Sequence, residues 1–176
     1  HMPFKPVLMA ILISPMIVPL IITAAGMFFF YSKIGLTHTY LGLILAHTAL
    51  GTPFVVITVT ATLTGFDTNL IRASQSLGAD TMRTFFKVIM PLILPGVISG
   101  GLFAFITSFD EVVIVMFVGS VEQITIPKQM WAGLRQETSP VILCMATCLV
   151  ALSIALLTTV EMLRRRSERL RGIKQR

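Results

Sequence analysis

Four long runs of apolar residues dominate the chain and set its predicted architecture. A helix that crosses a membrane needs about 20 consecutive, mostly apolar residues. Such runs occupy residues 7–31, 40–63, 91–118 and 140–163, and the first two contain no charged residue. The pattern therefore predicts four transmembrane helices, and the fold class is an all-α, polytopic transmembrane helix bundle.

The composition agrees with a membrane protein and excludes several soluble classes. Hydrophobic residues make up 55% of the 176 residues, charged residues only 12%, and the mean hydropathy is +0.86. A soluble chain of this length leaves too much surface in water to hide so much apolar area. We therefore exclude a disordered protein, a nucleic-acid-binding domain and an ordinary cytosolic enzyme. His1 and Met2 resemble the remnant of a cleaved purification tag, so the predicted membrane domain covers residues 3–163.

The distribution of Lys and Arg predicts the orientation of the chain. Cytoplasmic connectors of membrane proteins are enriched in these two residues. If both ends and the connector 64–90 are cytoplasmic, eleven of the fourteen Lys and Arg residues lie inside and three outside. Seven of the eleven belong to a basic tail at residues 164–176. The sequence thus predicts that both ends are cytoplasmic and that the tail anchors this topology.

The connector between the second and third runs carries the clearest local pattern. Asp67 can cap a helix, and apolar residues at helical spacing follow it. Gly78 is placed to end that helix, because glycine tolerates the left-handed conformation found there. Asp80 or Thr81 can cap a second helix, and Pro91 marks the return into the membrane. The pattern therefore predicts a helix, a glycine turn and a second helix. These helices either fill space at the membrane surface or dock a soluble partner.

These residues resemble the EAA loop of bacterial ABC importer permeases. Gly78 and Pro91 stand at the family's spacing, and Leu77 and Ala79 flank the glycine as they do there. Arg72 occupies the position of the usual glutamate. The predicted cytoplasmic coupling helices cover about residues 67–90, and we call residues 67–91, which include Pro91, the coupling loop. The resemblance makes these residues candidates for coupling to an ATPase: Asp67, Arg72, Ala73, Ser74, Leu77, Gly78, Ala79, Phe85, Val88 and Pro91.

Other runs extend the resemblance over nearly the whole chain. They are Thr52-Pro53-Phe54-Val55-Val56, Ser108-Phe109-Asp110-Glu111-Val112-Val113 and Ile126-Pro127-Lys128-Gln129-Met130-Trp131. They are similar to the second permease subunit of spermidine/putrescine importers and their relatives. Members of this family usually have about six spans, so the chain resembles their carboxy-terminal two thirds.

The resemblance implies a fold, a location and a set of partners. The fold is that of a type I ABC importer permease in the bacterial inner membrane, where the chain forms half of a substrate pore. The implied partners are cytoplasmic ABC ATPase subunits, a second permease subunit and a periplasmic substrate-binding protein, and the implied cargo is a polyamine or similar small cation. The sequence has no Walker A loop. ATP is therefore expected on the partner ATPase, and no catalytic residue, metal or cofactor is expected on this chain.

Asp110 and Glu111 are the acids that the pattern places inside the third run. An ionised group in a spanning helix costs about 2.5–3.5 kcal/mol, so it usually faces a cavity or a partner. A helical rise of about 28 Å from Pro91 places the pair in the outer half of the bilayer. We predict that the two carboxylates attract a cationic cargo. The alternative is that they reach interfacial water or pair with Lys128 or Arg135.

Two further classes compete with the importer subunit. A channel or structural membrane protein would have the same spans but no ATPase partner. An intramembrane protease needs a nucleophile and a base on facing spans, or a metal-binding His pair. His47 has no such setting, and we expect it to be a hydrogen-bonded packing residue. Gly96 and Gly100 lie four residues apart, a spacing that lets two helices approach closely.

Overall fold

The computed structural model describes residues 4–136 and 140–170, which form nine α-helices and one π-helical turn and contain no β-strand. The predicted all-α class is confirmed. The predicted tag remnant and residues 171–176 of the predicted tail lie outside the described residues. In chain order the helices are α1 Lys5–Ile17, α2 Leu20–Ile34, α3 Tyr40–Thr64, α4 Asn69–Ser76, α5 Thr81–Thr84, α6 Met90–Phe109, α7 Val113–Val118, α8 Ile126–Gln136 and α9 Pro140–Leu170, with the π-helical turn Phe85–Ile89 between α5 and α6.

The first apolar run, predicted as one span, forms a broken pair of helices. The axes of α1 and α2 differ by 111°. Val18, between them, is extended, with φ −72° and ψ 135°, and Pro19 precedes the first residue of α2. The break follows from sterics, because a proline disfavours the helical conformation in the residue before it. Pro15, by contrast, lies within α1.

Three other helices are long and apolar enough to cross a membrane: Tyr40–Thr64, Thr81–Phe109 and Pro140–Thr159. With the bent pair counted as one broken span, the described residues contain up to four. The number of spans thus agrees with the prediction only if α1 and α2 cross the membrane together.

The third span differs from its predicted bounds of 91–118. One continuous helix runs from Thr81 to Phe109 through α5, the π-helical turn and α6; we call it the long helix. It passes through Pro91 without a break, so this proline is not a helix boundary, and the return into the membrane there stays a prediction. A proline disturbs a regular helix because it lacks an N–H and collides with the preceding turn. Directly before Pro91 the chain adopts the wider π-helical spacing, in which Met90 N–H donates to the Phe85 oxygen.

Glycines bring the long helix against α3, as the four-residue spacing predicts. Gly96 and Gly100 are both buried. A β-carbon on Gly96 would collide with the Thr62 hydroxyl, and one on Gly100 would collide with the Thr58 hydroxyl. The two backbones therefore touch at these positions, and α3 with α6 forms the main helix pair of the fold.

A cluster of buried side chains joins α3 to two further helices. Its buried side chains come from α2, α3 and α7 and include Tyr31, Leu50, Ile114 and Val118. The loop before α3 is tied to the end of α7, because His38 N–H donates to the Val118 oxygen at 2.8 Å. This cluster fixes α7 beside the end of the long helix.

The last helix contributes little buried surface. In the apolar window of α9, within Pro140–Thr159, none of the residues is buried. The helix continues to Leu170, so the first residues of the predicted basic tail are helical, and the end of the span at 163 stays a prediction. An apolar helix with this exposure suits contact with lipid or with another chain.

Candidate functional site

The first half of the coupling loop is a helix closed by a glycine turn. The Asp67 carboxylate accepts a hydrogen bond from Asn69 N–H at 2.9 Å, where α4 begins. Gly78 has φ +82°, a conformation that few residues other than glycine adopt. Two hydrogen bonds close the turn, from Gly78 N–H to Gln75 and from Ala79 N–H to Ser74. This is a Schellman motif, and the predicted helix and glycine turn are confirmed.

The second half of the loop is the beginning of the long helix. The Asp80 carboxylate caps it by accepting from Arg83 N–H at 2.6 Å, which confirms the predicted cap. Thr84, one turn further, is only 2% exposed. Its hydroxyl lies 3.0 Å from the Ser74 hydroxyl. A side-chain hydrogen bond therefore joins α4 directly to the long helix.

The predicted loop residues separate into exposed and packed groups. Exposed residues are Asp67, Arg72, Ala73, Leu77, Gly78 and Phe85, and half-buried residues are Ser74, Ala79, Val88 and Pro91. Leu77 is the most exposed of the apolar ones, at 88%, and Met82 across the turn is 67% exposed. The loop thus presents apolar side chains at its tip, while its half-buried residues hold it to the bundle. Sequence reasoning missed Thr84, whose burial depends on a contact with another helix.

Asp110 and Glu111 lie at the opposite end of the long helix from the coupling loop. Asp110 follows the last residue of α6 and is exposed. Glu111 is 5% exposed, and its two carboxylate oxygens accept from Val113 N–H at 2.9 Å and Ile114 N–H at 2.7 Å. The prediction that both acids lie inside a spanning helix is therefore wrong. The chain leaves the helix at Asp110, and Glu111 caps the short helix α7.

Both acids line a cavity of about 700 Å³. The cavity lies between the end of α6, α3 and the bend that joins α1 to α2. Most of its wall is apolar, with Pro19 and Phe54 among its residues, and Thr107 adds a hydroxyl beside the acids. An apolar wall with two carboxylates suits a ligand that combines cationic groups with methylene segments.

Lys128, predicted as an alternative ion-pair partner of these acids, bonds to backbone oxygens. The Lys128 ammonium donates to the backbone oxygens of Ser120 and Gln123, at 3.0 and 3.1 Å. It closes the turn that precedes α8. The Arg135 side chain lies outside the described atoms.

His47 is a hydrogen-bonded residue between two spans, as predicted. Its Nδ1 lies 2.9 Å from the Ser108 hydroxyl of α6. Both residues line a larger cavity of about 970 Å³ between α3, the end of α6 and the segment before α8. The pair cross-links the two main helices at the end of the bundle away from the coupling loop.

Comparisons with known proteins agree with this architecture. Residues 3–169 match the family described as binding-protein-dependent transport system inner membrane component. The chain is 31% identical over 152 residues to the spermidine/putrescine transport system permease protein PotC of Haemophilus influenzae, covering 86% of this chain and 59% of the relative. It is 29% identical over 161 residues to the Escherichia coli protein of the same name, covering 92% and 61%. The chain thus spans about three fifths of the length of these relatives.

A solved structure supports the fold. The chain is similar to one chain of the inward-facing MetNI methionine ABC transporter, with a TM-score of 0.67 and 23% identity. The match covers 97% of this chain and 74% of that one. At this identity the likeness concerns the fold alone, and it confirms the predicted ABC importer permease-like bundle.

Proposed function

Because the chain belongs to the family of binding-protein-dependent transport system inner membrane components, we propose that it acts as a permease subunit of an ATP-driven importer. In this role it forms half of a substrate pore together with a second permease subunit. Cytoplasmic ATPase subunits bind the ATP, and a periplasmic binding protein delivers the cargo. In this role ATP hydrolysis belongs to the ATPase subunits, and the chain itself needs no catalytic residue or cofactor.

The shape of the coupling loop is the observation that carries this proposal. Leu77 and Met82 expose apolar side chains on either side of the Gly78 turn. Apolar side chains held out from a surface mark a site of contact with another protein. Because the loop runs directly into the long helix, a partner that grips it also grips a membrane span.

The proposed orientation places the coupling loop in the cytoplasm. It follows from the excess of Lys and Arg in the connector 64–90 and after residue 163. The 29 residues of the long helix extend about 43 Å, more than the bilayer's apolar core of about 30 Å. The helix therefore reaches from the proposed ATPase side to the outer side, where Asp110 lies.

The proposed cargo is a polyamine or a similar small cation. Two observations support it: the names of the relatives, which are spermidine/putrescine permeases, and the cavity lined by Asp110 and Glu111. Ammonium groups of the cargo would pair with the carboxylates, and its methylene segments would lie along the apolar wall. Asp110 is the more accessible of the two acids, since Glu111 already accepts two backbone hydrogen bonds.

Capture of the ATPase tests the coupling role. We compare the parent chain with Leu77→Asp and Met82→Asp, which place charges on the apolar tip of the loop. The matched control is Val121→Asp, since Val121 is 89% exposed but lies at the proposed outer end. We expect the loop variants to lose ATPase capture and the control to keep it. Equal capture by all variants would refute docking through the loop, and a parent that binds no ATPase would favour the channel or structural alternative.

Uptake tests the cargo. In the assembled transporter, Asp110→Asn and Glu111→Gln remove each negative charge while keeping the size of the side chain. We expect spermidine uptake to fall in the first variant, and in the second if Glu111 also contacts cargo. Glu122→Gln, an exposed acid in the loop after α7, is the control. Unchanged uptake in both acid variants removes the pair from the pathway.

A further inference from the structure

Thr84 is buried in a part of the molecule where most side chains are exposed. Its neighbours Arg83 and Phe85 are exposed, yet Thr84 is 2% exposed. Among the described polar residues only Thr84, Glu111 and Gln123 are buried, and Thr84 is the least exposed of the three. Its hydroxyl lies 3.0 Å from that of Ser74 on α4. The coupling loop therefore contains a sheltered hydrogen bond between its two helices.

This hydrogen bond is a second attachment of α4 to the long helix. The first attachment is the turn at Gly78, where the chain reverses through a left-handed residue. A single turn lets two helices pivot about it, whereas a second contact on the packed face fixes the angle between them. Ser74 also belongs to the turn itself, since its backbone oxygen accepts from Ala79 N–H at 3.1 Å.

We propose that the hydroxyl pair of Ser74 and Thr84 is the positioning joint that locks α4 to the long helix, so that a displacement of α4 by the ATPase moves the span that ends at Phe109. This inference rests on the proposed function. The long helix transmits such a displacement as one body, because it is continuous from Thr81 and is packed against α3 at Gly96 and Gly100.

Removing either hydroxyl should loosen the joint without removing the docking surface. Thr84→Val keeps the shape of the buried side chain, and Ser74→Ala removes the partner oxygen. Thr84→Ser retains the hydroxyl and is the conservative rescue. Ser76→Ala is the matched control, because the Ser76 hydroxyl donates only within α4, to the Arg72 oxygen at 3.0 Å.

The measurement is the amount of cargo moved per ATP hydrolysed by the assembled transporter in liposomes, with spermidine as the probe. We expect this ratio to fall about fivefold in Ser74→Ala and Thr84→Val. One net hydrogen bond contributes about 1 kcal/mol, which changes the ratio of locked to unlocked molecules about fivefold. ATPase capture should stay at the parent level in Thr84→Val, because Leu77 and Met82 are unchanged and Thr84 is buried. Thr84→Ser and Ser76→Ala should retain the parent ratio.

A covalent replacement of the hydrogen bond separates a joint from a merely stabilising contact. The two hydroxyl oxygens lie 3.0 Å apart, which makes these positions a candidate cysteine pair for a disulfide. We therefore combine Ser74→Cys and Thr84→Cys in a chain whose exposed cysteines, Cys144 and Cys148, are replaced by serine. The oxidised protein should couple as well as the parent, and the reduced protein should resemble Ser74→Ala.

Three results would overturn the joint. The first is that Thr84→Val and Ser74→Ala move as much spermidine per ATP as the parent. The second is that Thr84→Ser moves as little spermidine per ATP as Thr84→Val. The third is that the oxidised double-cysteine protein moves no more spermidine per ATP than the reduced one. Each leaves the proposed function intact as long as the parent captures the ATPase and moves spermidine. If the parent does neither, the proposed function fails and the joint fails with it.

Discussion

Gly100 offers a sharp test of how the two main helices are packed. It lies on α6 where the backbone of α3 comes closest. In Gly100→Ala the added β-carbon would lie 2.7 Å from Val55 Cα and 3.2 Å from the Phe54 oxygen, and it would collide with the Thr58 hydroxyl. The neighbouring Gly101 is exposed, and a β-carbon there meets nothing within 4 Å. The two glycines form a matched pair on one helix.

The expected effects follow from two terms. Carbon atoms pack at about 3.5–4.0 Å, so a contact of 2.7 Å forces α3 and α6 apart by about 1 Å. Overpacking of this kind costs about 1–3 kcal/mol. Both Gly100→Ala and Gly101→Ala gain about 1 kcal/mol from the better helix propensity of alanine. The difference between the two variants is therefore the packing term alone, and Gly100→Ala should be the less stable by about 1–3 kcal/mol.

The assay is unfolding in mixed micelles, with the SDS fraction raised stepwise and helix content followed by circular dichroism. The expected order of midpoints is Gly101→Ala at or above the parent and Gly100→Ala below both. Equal midpoints for the two variants would refute the close approach of α3 and α6 at Gly100. A lower midpoint in Gly101→Ala alone would mean that α3 contacts the face of α6 that carries Gly101, and not the face that carries Gly100.

Three further predictions concern the turns and caps. Gly78→Ala introduces a side chain at φ +82° in open space, so we expect the free energy of unfolding to fall by about 1–2 kcal/mol and ATPase capture to weaken. The control is Gly65→Ala, in equally open space but at φ −90°, which should capture the ATPase like the parent. Glu111→Ala removes the acceptor of two α7 N–H groups and should lower the free energy of unfolding by about 1–2 kcal/mol, whereas Asp110→Ala should leave it unchanged; equal losses would contradict the capping role. His38 has φ 61°, so His38→Val should cost about 1–2 kcal/mol more than His38→Gly in the same SDS titration, and the reverse order would deny the left-handed conformation.

Features that depend on neighbouring residues in the sequence could be predicted. The glycine turn at Gly78 and the cap at Asp80 follow from local backbone chemistry, and both occur as expected. The four-residue spacing of Gly96 and Gly100 correctly marked the face that meets another helix. The sequence did not identify α3 as that partner, because periodicity describes one helix at a time.

Features that depend on contacts between helices could not be predicted in the same way. The hydropathy pattern predicts one span that continues past Asp110 and Glu111, because the residues on both sides of them are apolar. The helix ends there because the Glu111 carboxylate accepts the first N–H groups of α7, and α7 in turn packs against α2 and α3. Thr84 has no sequence signal of its own, since an isolated threonine in a charged connector is usually exposed.

The continuity of the long helix through Pro91 bears directly on how motion could pass from the coupling loop to the span. A boundary there would divide the third span from the coupling loop and place a flexible point between them. The structure instead has one helix from Thr81 to Phe109, so a displacement of its first turn is transmitted to its last turn. The reversal at Gly78 then becomes the point where motion could be lost between α4 and the span. A buried hydrogen bond that bridges this reversal, from Ser74 to Thr84, lies where a rigid connection between an ATPase and a span would need it.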